Sequence, residues 1–168
     1  VVSDKWKKKI KIKVPPVGVL IETPAAALIS QSLAKNCDFF AIGTNDLTMY
    51  TLATDRGDEE VANIYDPTHP SVLKLIKLTV NSAKDNNIPV SICGEMAGDT
   101  LFTMLLVGLN INSLSMGISS ILKIKQFLNY LSFSEAKKIS GEILNDDDNI
   151  SIKNKLEKYR NYVINNFS

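Results

Sequence analysis

Cysteine, histidine and net charge are all scarce in this chain, and each scarcity removes a class of function. Its 168 residues include two cysteines and one histidine. Thiols as far apart as Cys37 and Cys93 make no disulfide framework and lack the close spacing of a zinc site. Reduced thiols of the cell interior are the natural reading. Lys and Arg number 19 against 18 Asp and Glu, a net charge of +1. That balance gives no electrostatic reason to expect nucleic acid as a partner. A glycine-rich loop followed by Lys-Ser or Lys-Thr is missing, which removes nucleotide binding of that type. The most apolar run near the middle, "LFTMLLVGL", is too short to span a bilayer. The basic start "KWKKKIKIK" is not followed by an apolar segment with a small-residue cleavage site, so no signal peptide is read there. These absences predict a soluble, cytoplasmic protein with no membrane insertion and no nucleic-acid partner.

What is present is a chain 45% hydrophobic, enough for one domain with a real core. Strand-like and helix-like segments alternate. "VGVLIE" (Val17 to Glu22) is a continuous apolar run ending in a carboxylate, and Pro24 opens a helical pattern over "PAAALISQSLAKN". "DFFAIG" predicts a second strand, with a helix or turn from Asn45 or Asp46 after it. An amphipathic helix is expected from Ser71 to about Asn86, with His69 beside its N-terminus or in a surface loop. "PVSICG" reads as a third strand, "LFTMLLVGLN" as a buried helix, "SLSMG" as a fourth short strand and "SSILKIKQFLNYL" as a helix. From Ser134 on, two polar amphipathic helices flank the acidic turn "NDDDN". Three stretches are expected: a basic segment 1–16, an α/β unit 17–133 and a helical tail 134–168. Regular βα alternation implies a parallel sheet with right-handed crossovers, and apolar strands imply burial on both faces. Four βα units fit either a small open doubly wound sheet or half of an eight-stranded barrel.

The reactive residues fall in one place. Glu22 ends the first strand, Asn45 and Asp46 follow the second, and Cys93 ends the third. All lie at carboxyl ends of parallel strands, the rim where such folds build their sites. Strands about 4.8 Å apart let carboxylates on neighbouring ends share one ion. Two carboxylates with open positions beside them suit Mg²⁺, which takes substrate phosphate oxygens as further ligands. Arg56, in "TDRGD", offers a planar fork for a phosphate or carboxylate. Cys93 is a candidate proton donor. Each residue also has a plainer reading: Glu22, Asn45 or Asp46 as helix caps, Cys37 and Cys93 as packing residues, and Arg56 as a solvated partner of Asp55 and Asp58.

Five stretches, "VLIETPAAAL", "DFFAIGTNDLTMYTLATDRG", "YDPTHPSVLKLIK", "ICGEMAGD" and "LLVGLNINSLSMG", together resemble one family. It is the enzyme I family of the phosphoenolpyruvate:sugar phosphotransferase system, in its C-terminal domain. The likeness runs in order from about Val17 to Phe127. Pyruvate phosphate dikinase and phosphoenolpyruvate synthase share the site logic, but "TLATDRG" and "CGEMAGD" look more like enzyme I.

The resemblance implies a (βα)8 barrel of the TIM type, of which this chain would supply the second half. It implies Glu22 and Asp46 as Mg²⁺ ligands, Asn45, Asp46 and Arg56 as contacts to phosphoenolpyruvate, and Cys93 as the acid that protonates the enol carbon. The implied activity is that of a phosphoenolpyruvate-dependent protein phosphotransferase in sugar uptake. Its implied partners are a phosphohistidine domain, a small histidine-containing carrier protein and a second copy of itself. The phosphohistidine domain and the first barrel half have no counterpart here, so a fragment, a split gene or a remnant that only binds or associates is expected. Met49 stands where the family commonly has glutamine, and "GISSILKIK" lacks a usual proline; neither touches the five site positions.

Overall fold

In a computed structural model of the chain, residues 14–55, 61 and 64–166 are described. The basic segment at the start and Arg56 therefore lie outside the described residues. Four strands, β1 (Gly18–Ile21), β2 (Phe39–Gly43), β3 (Val90–Cys93) and β4 (Ser113–Leu114), form one parallel sheet in the order β1-β2-β3-β4. Strand order follows chain order, without the reversal that defines a doubly wound sheet.

The register explains which side chains are buried. Ile21, Ile42, Ile92 and Leu114 stand in one row, and Val19, Phe40 and Val90 in another. Side chains alternate across a strand, so both rows share one face. Helices cover that face, and Ile21, Phe40, Ile42 and Ile92 are fully buried there. The alternate row of Leu20, Ala41, Ser91 and Ser113 looks the other way. Its members are half-buried or exposed, Leu20 to 50%. Burial on both faces, expected from the apolar strands, is thus corrected: among the described residues only one face carries a helical layer.

Helices α1 (Pro24–Leu28) and α2 (Ser30–Ala34) replace the single helix expected after β1. Ile29, at φ −98° and ψ 11°, separates them, and the buried Ser30 hydroxyl meets that of Ser82 at 2.8 Å. α3 (Thr44–Leu52) follows β2 without a loop and stops at Ala53, a left-handed residue. α4 (Pro70–Asp85) begins one residue before the expected start, and His69 is its N-cap, its Nδ1 accepting from the Ser71 N–H at 3.2 Å. α5 (Thr100–Gly108) starts at Asp99, which accepts from the Leu101 N–H, and buries Phe102, Met104, Leu105 and Leu106. α6 (Ile118–Leu128), α7 (Phe133–Leu144) and α8 (Asn149–Asn165) complete the chain. Ile139, Ile143, Ile152 and Leu156 of the last two helices join the same apolar cluster as the strands. The acidic turn works as a cap: Asp148 receives the Ile150 N–H, while Asp146 receives the Ser151 hydroxyl and the Lys155 ammonium. No helix among the described residues is long and apolar enough to cross a membrane.

Candidate functional site

The parity that buries the isoleucines also selects the residues of the rim. Gly43 pairs with Cys93, one step beyond the row of Ala41 and Ser91 and on the same, uncovered face. Glu22 follows β1 by one residue, so the register brings it beside Gly43. The space confirms this: a Cβ on Gly43 would lie 2.5 Å from Glu22 Oε1 and 2.6 Å from Glu22 Cγ. Glycine here is a requirement of close approach, because the Glu22 side chain occupies the place of its missing methyl.

Glu22 does not cap α1; Thr23 does, its hydroxyl accepting from the Ala26 N–H at 3.2 Å. Nor do Asn45 and Asp46 cap α3. Gly43 holds the N-cap position with no side-chain bond, which leaves both polar side chains for other work. Asn45 reaches to the next strand end, where its Oδ1 accepts from the Glu95 N–H at 3.1 Å. Thr44, buried, donates its hydroxyl to the Cys93 carbonyl at 2.9 Å. Gly94, at φ +98°, lets the chain turn under these bonds, and a Cβ there would lie 2.5 Å from Thr44 Oγ1. The ends of β2 and β3 are thus stapled side chain to backbone around one left-handed glycine.

The charges are arranged against each other. Burial raises the Glu22 carboxyl above its ordinary value, and Asp46 raises it further through its charge and a hydrogen bond. The Cys93 thiol, half-buried, is pushed up by burial first and then by Glu22 and Asp46. Its Sγ donates to the Ile42 carbonyl at 3.4 Å. Such a thiol keeps its proton near neutral pH, which suits a donor and not a thiolate nucleophile. A carboxyl whose ionisation is opposed by burial and by a neighbouring acid, as that of Glu22 is, fits a hard divalent cation, whose charge removes the conflict. Among the described residues no group of three His, Cys, Asp or Glu side chains is placed to hold one ion, so a cation here would complete its shell with water or ligand oxygens.

Beside this cluster a cavity of about 420 Å³ opens, bordered by Asn45, Cys93, Gly94, Glu95, Met116 and Ser120. The structure therefore gathers Glu22, Asn45, Asp46 and Cys93, while Arg56 lies outside the described residues. Sequence reasoning missed Gly43, Thr44, Gly94 and the Glu95 N–H. A glycine closing an apolar strand was the visible signal for Gly43; the others depend on strand register.

A family model described as PEP-utilising enzyme, PEP-binding domain matches residues 2–133. The chain is 45% identical over 157 residues to a protein of Buchnera aphidicola subsp. Acyrthosiphon pisum named phosphoenolpyruvate-protein phosphotransferase, covering 94% of this chain and 27% of that protein. Proteins of the same name from Borreliella burgdorferi and Haemophilus influenzae are 48% and 42% identical over 131 and 143 residues. These matches cover 78% and 85% of this chain but 23% and 25% of those proteins. The chain thus spans about a quarter of the length of the curated relatives it matches. With the family model covering most of its residues, the chain belongs to the PEP-binding domain family of PEP-utilising enzymes.

Proposed function

We propose that this chain carries half of a phosphoenolpyruvate site and serves a phosphoenolpyruvate-dependent protein phosphotransferase of the sugar phosphotransferase system in the cytoplasm. The observation that carries the reading is the meeting of Glu22, Asn45, Asp46 and Cys93 on three neighbouring strand ends, on the uncovered face of the sheet. In this reading residues 17–133 are the site-bearing unit, residues 1–16 a basic N-terminal segment and residues 134–168 a helical tail. The sheet is the second half of an eight-stranded barrel, and its uncovered face is the barrel interior. A row of Leu20, Ala41, Ser91 and Ser113 suits a barrel lining.

Glu22 and Asp46 would hold Mg²⁺, which supplies charge neutralisation to the phosphate and enolate oxygens. Asn45, its Oδ1 already engaged by the Glu95 N–H, has its amide N–H groups left to donate to substrate oxygens. Arg56 would hold the phosphate as a bidentate partner. When the P–O bond to the enol oxygen breaks, the phosphoryl group passes to a histidine of another domain and an enolate remains. The Cys93 Sγ–H gives its proton to the enolate carbon, and pyruvate forms. In reverse the thiolate recovers the proton from the pyruvate methyl. Histidine domain, histidine-containing carrier and a homodimeric partner are the partners this reading requires. The alternative of a dikinase or synthase has less support, since the relatives above share the phosphotransferase name.

Calorimetric titration of phosphoenolpyruvate into the folded chain, with and without Mg²⁺, tests the reading. Saturable binding that needs Mg²⁺ is expected. A folded chain that shows none overturns the claim that this half of the site is preorganised.

A further inference from the structure

A second groove lies on the opposite side of the molecule, at the amino-terminal ends of the strands. It runs between α4 and α7, encloses about 840 Å³, and is bordered at its base by Pro89, Val90 and Asn112. That is the size of a small-molecule pocket.

Three features set it apart from an ordinary solvated surface. Lys77, Lys84 and Lys137 line it, and no aspartate or glutamate does. Lys77, Asn81 and Lys84 stand four and three residues apart on α4, which puts them on one stripe that faces Lys137 of α7 across the gap. Two other lysines nearby are paired: Lys74 of α4 with Asp147, and Lys155 of α8 with Asp146. Among the described residues none of the three groove lysines forms an ion pair. A concave wall of one sign focuses its field on whatever enters.

The second feature is Gly141, in the middle of α7 and on the groove wall. Glycine weakens a helix interior relative to alanine. Packing does not demand it, because a Cβ at Gly141 would meet no atom within 4 Å. The residue leaves a stretch of bare helix backbone open to the groove. The third feature is Phe133, 52% exposed on the same wall, beside the apolar surfaces of Ile88 and Leu109.

We infer that this groove binds an organic phosphate with a flat apolar body: the ammonium groups of Lys77, Lys84 and Lys137 hold the phosphate, and the body lies against Phe133 and the backbone at Gly141. The site is separate from the strand-end rim and does not rest on the reading of that rim.

AMP is the probe, titrated into the full chain by calorimetry at low salt, with inorganic phosphate in a parallel titration. AMP should saturate with a Kd of about 1 mM or tighter. Phosphate alone should bind at least about tenfold more weakly. Lys84→Gln with Lys137→Gln should weaken AMP at least about tenfold, and Gly141→Leu should do the same by filling the groove. Both variants alter exposed or open positions, and circular dichroism checks that they fold. Saturating Mg²⁺ and phosphoenolpyruvate should leave AMP binding unchanged. No saturation at about 10 mM AMP overturns the proposal. So does binding that survives both variants, or that phosphoenolpyruvate displaces. Phosphate binding as tight as AMP overturns the role given to Phe133 and Gly141.

Discussion

A single methyl group at Gly43 should disable the proposed metal site without unfolding the protein. Gly43 sits at φ −87° and ψ 93°, an extended conformation open to any residue, so alanine is free of backbone strain there. The added Cβ would lie 2.5 Å from Glu22 Oε1 and 2.6 Å from Cγ, where ordinary contact begins near 3.5 Å. Glu22 must therefore retreat by about 1 Å, and as a half-buried side chain beyond the end of its strand it is able to. A Mg²⁺–oxygen bond of about 2.1 Å in near-octahedral geometry does not survive such a shift. Loss of one carboxylate ligand should weaken Mg²⁺-dependent phosphoenolpyruvate binding about 10- to 100-fold, or about 1.4–2.7 kcal/mol. Stability should change little. Replacing glycine reduces unfolded-state entropy by about 0.4–1 kcal/mol, which offsets the displacement, and the melting temperature should stay within about 4 °C of wild type. Calorimetry reads the affinity and circular dichroism the melt. Glu22→Gln should cost a similar factor, and the two changes together should cost little more than either alone, because both remove the same contact. A folded Gly43→Ala protein that binds Mg²⁺ and phosphoenolpyruvate as wild type would refute the assignment of Glu22. Additive losses would show instead that the methyl acts elsewhere.

Asp46→Ala should abolish metal-dependent binding of phosphoenolpyruvate, and unchanged affinity by calorimetry would remove Asp46 from the ligand set. Cys93→Ala in a reconstituted phosphotransferase should slow net turnover while leaving phosphoenolpyruvate binding largely intact; equal loss of both would refute the acid role. Asp66 tests the helical tail, because it receives the Thr68 N–H and hydroxyl and the Asn149 amide, at 2.8, 2.6 and 2.8 Å. Burial alone would raise its carboxyl, but those bonds and nearby Lys153 bring it below the ordinary 3.8, so the stability it adds is present above that value and lost as pH falls through its lower folded pKa. Asp66→Ala should cost about 2 kcal/mol at pH 7, a fall of about 4–8 °C in melting temperature, and the difference from wild type should shrink on acidification below about pH 4. A pH-independent difference would show that the loss comes from packing.

What the sequence disclosed of this fold is what one chain segment encodes by itself. The apolar runs ending at Ile21, Gly43 and Cys93 became strands, and the period of Val72, Leu73, Ile76 and Val80 became the buried side of α4. The acidic turn and His69 became caps because their side chains bond to backbone two residues away. Relations between segments stayed hidden. Leu20 is as apolar as Ile21, so composition could not show that one lies 50% exposed and the other fully buried. Only the register settles it, by assigning odd and even positions to opposite faces. The same limit applied at the rim. That a glutamate ends one strand and an aspartate follows the next was legible, but the bonds that fix their surroundings run from Thr44 to the Cys93 carbonyl and from the Glu95 N–H to Asn45. Those partners stand 49 and 50 residues apart, and one of each pair is main chain, which carries no residue-specific signal.

That division also explains why the capping readings of Glu22, Asn45 and Asp46 fail together. A polar residue at a strand end is ordinarily consumed by the helix that follows, as Thr23 and Asp99 are. Glu22, Asn45 and Asp46 escape this because neighbours occupy the capping positions: Thr23 takes the cap of α1, and Gly43 leaves α3 with no side-chain cap at all. The fold thus leaves three strong polar groups uncommitted to helix ends, on a face where Leu20 and Ser91 find no helical cover. Burial first and then the approach of Asp46 raise the Glu22 carboxyl above its ordinary pKa, a conflict that adds nothing to a cap or a core. Strain of this kind at a strand-end cavity is what a charged ligand relieves. What marks this rim is therefore less the presence of acids than the glycine that leaves room for Glu22 beside Asp46.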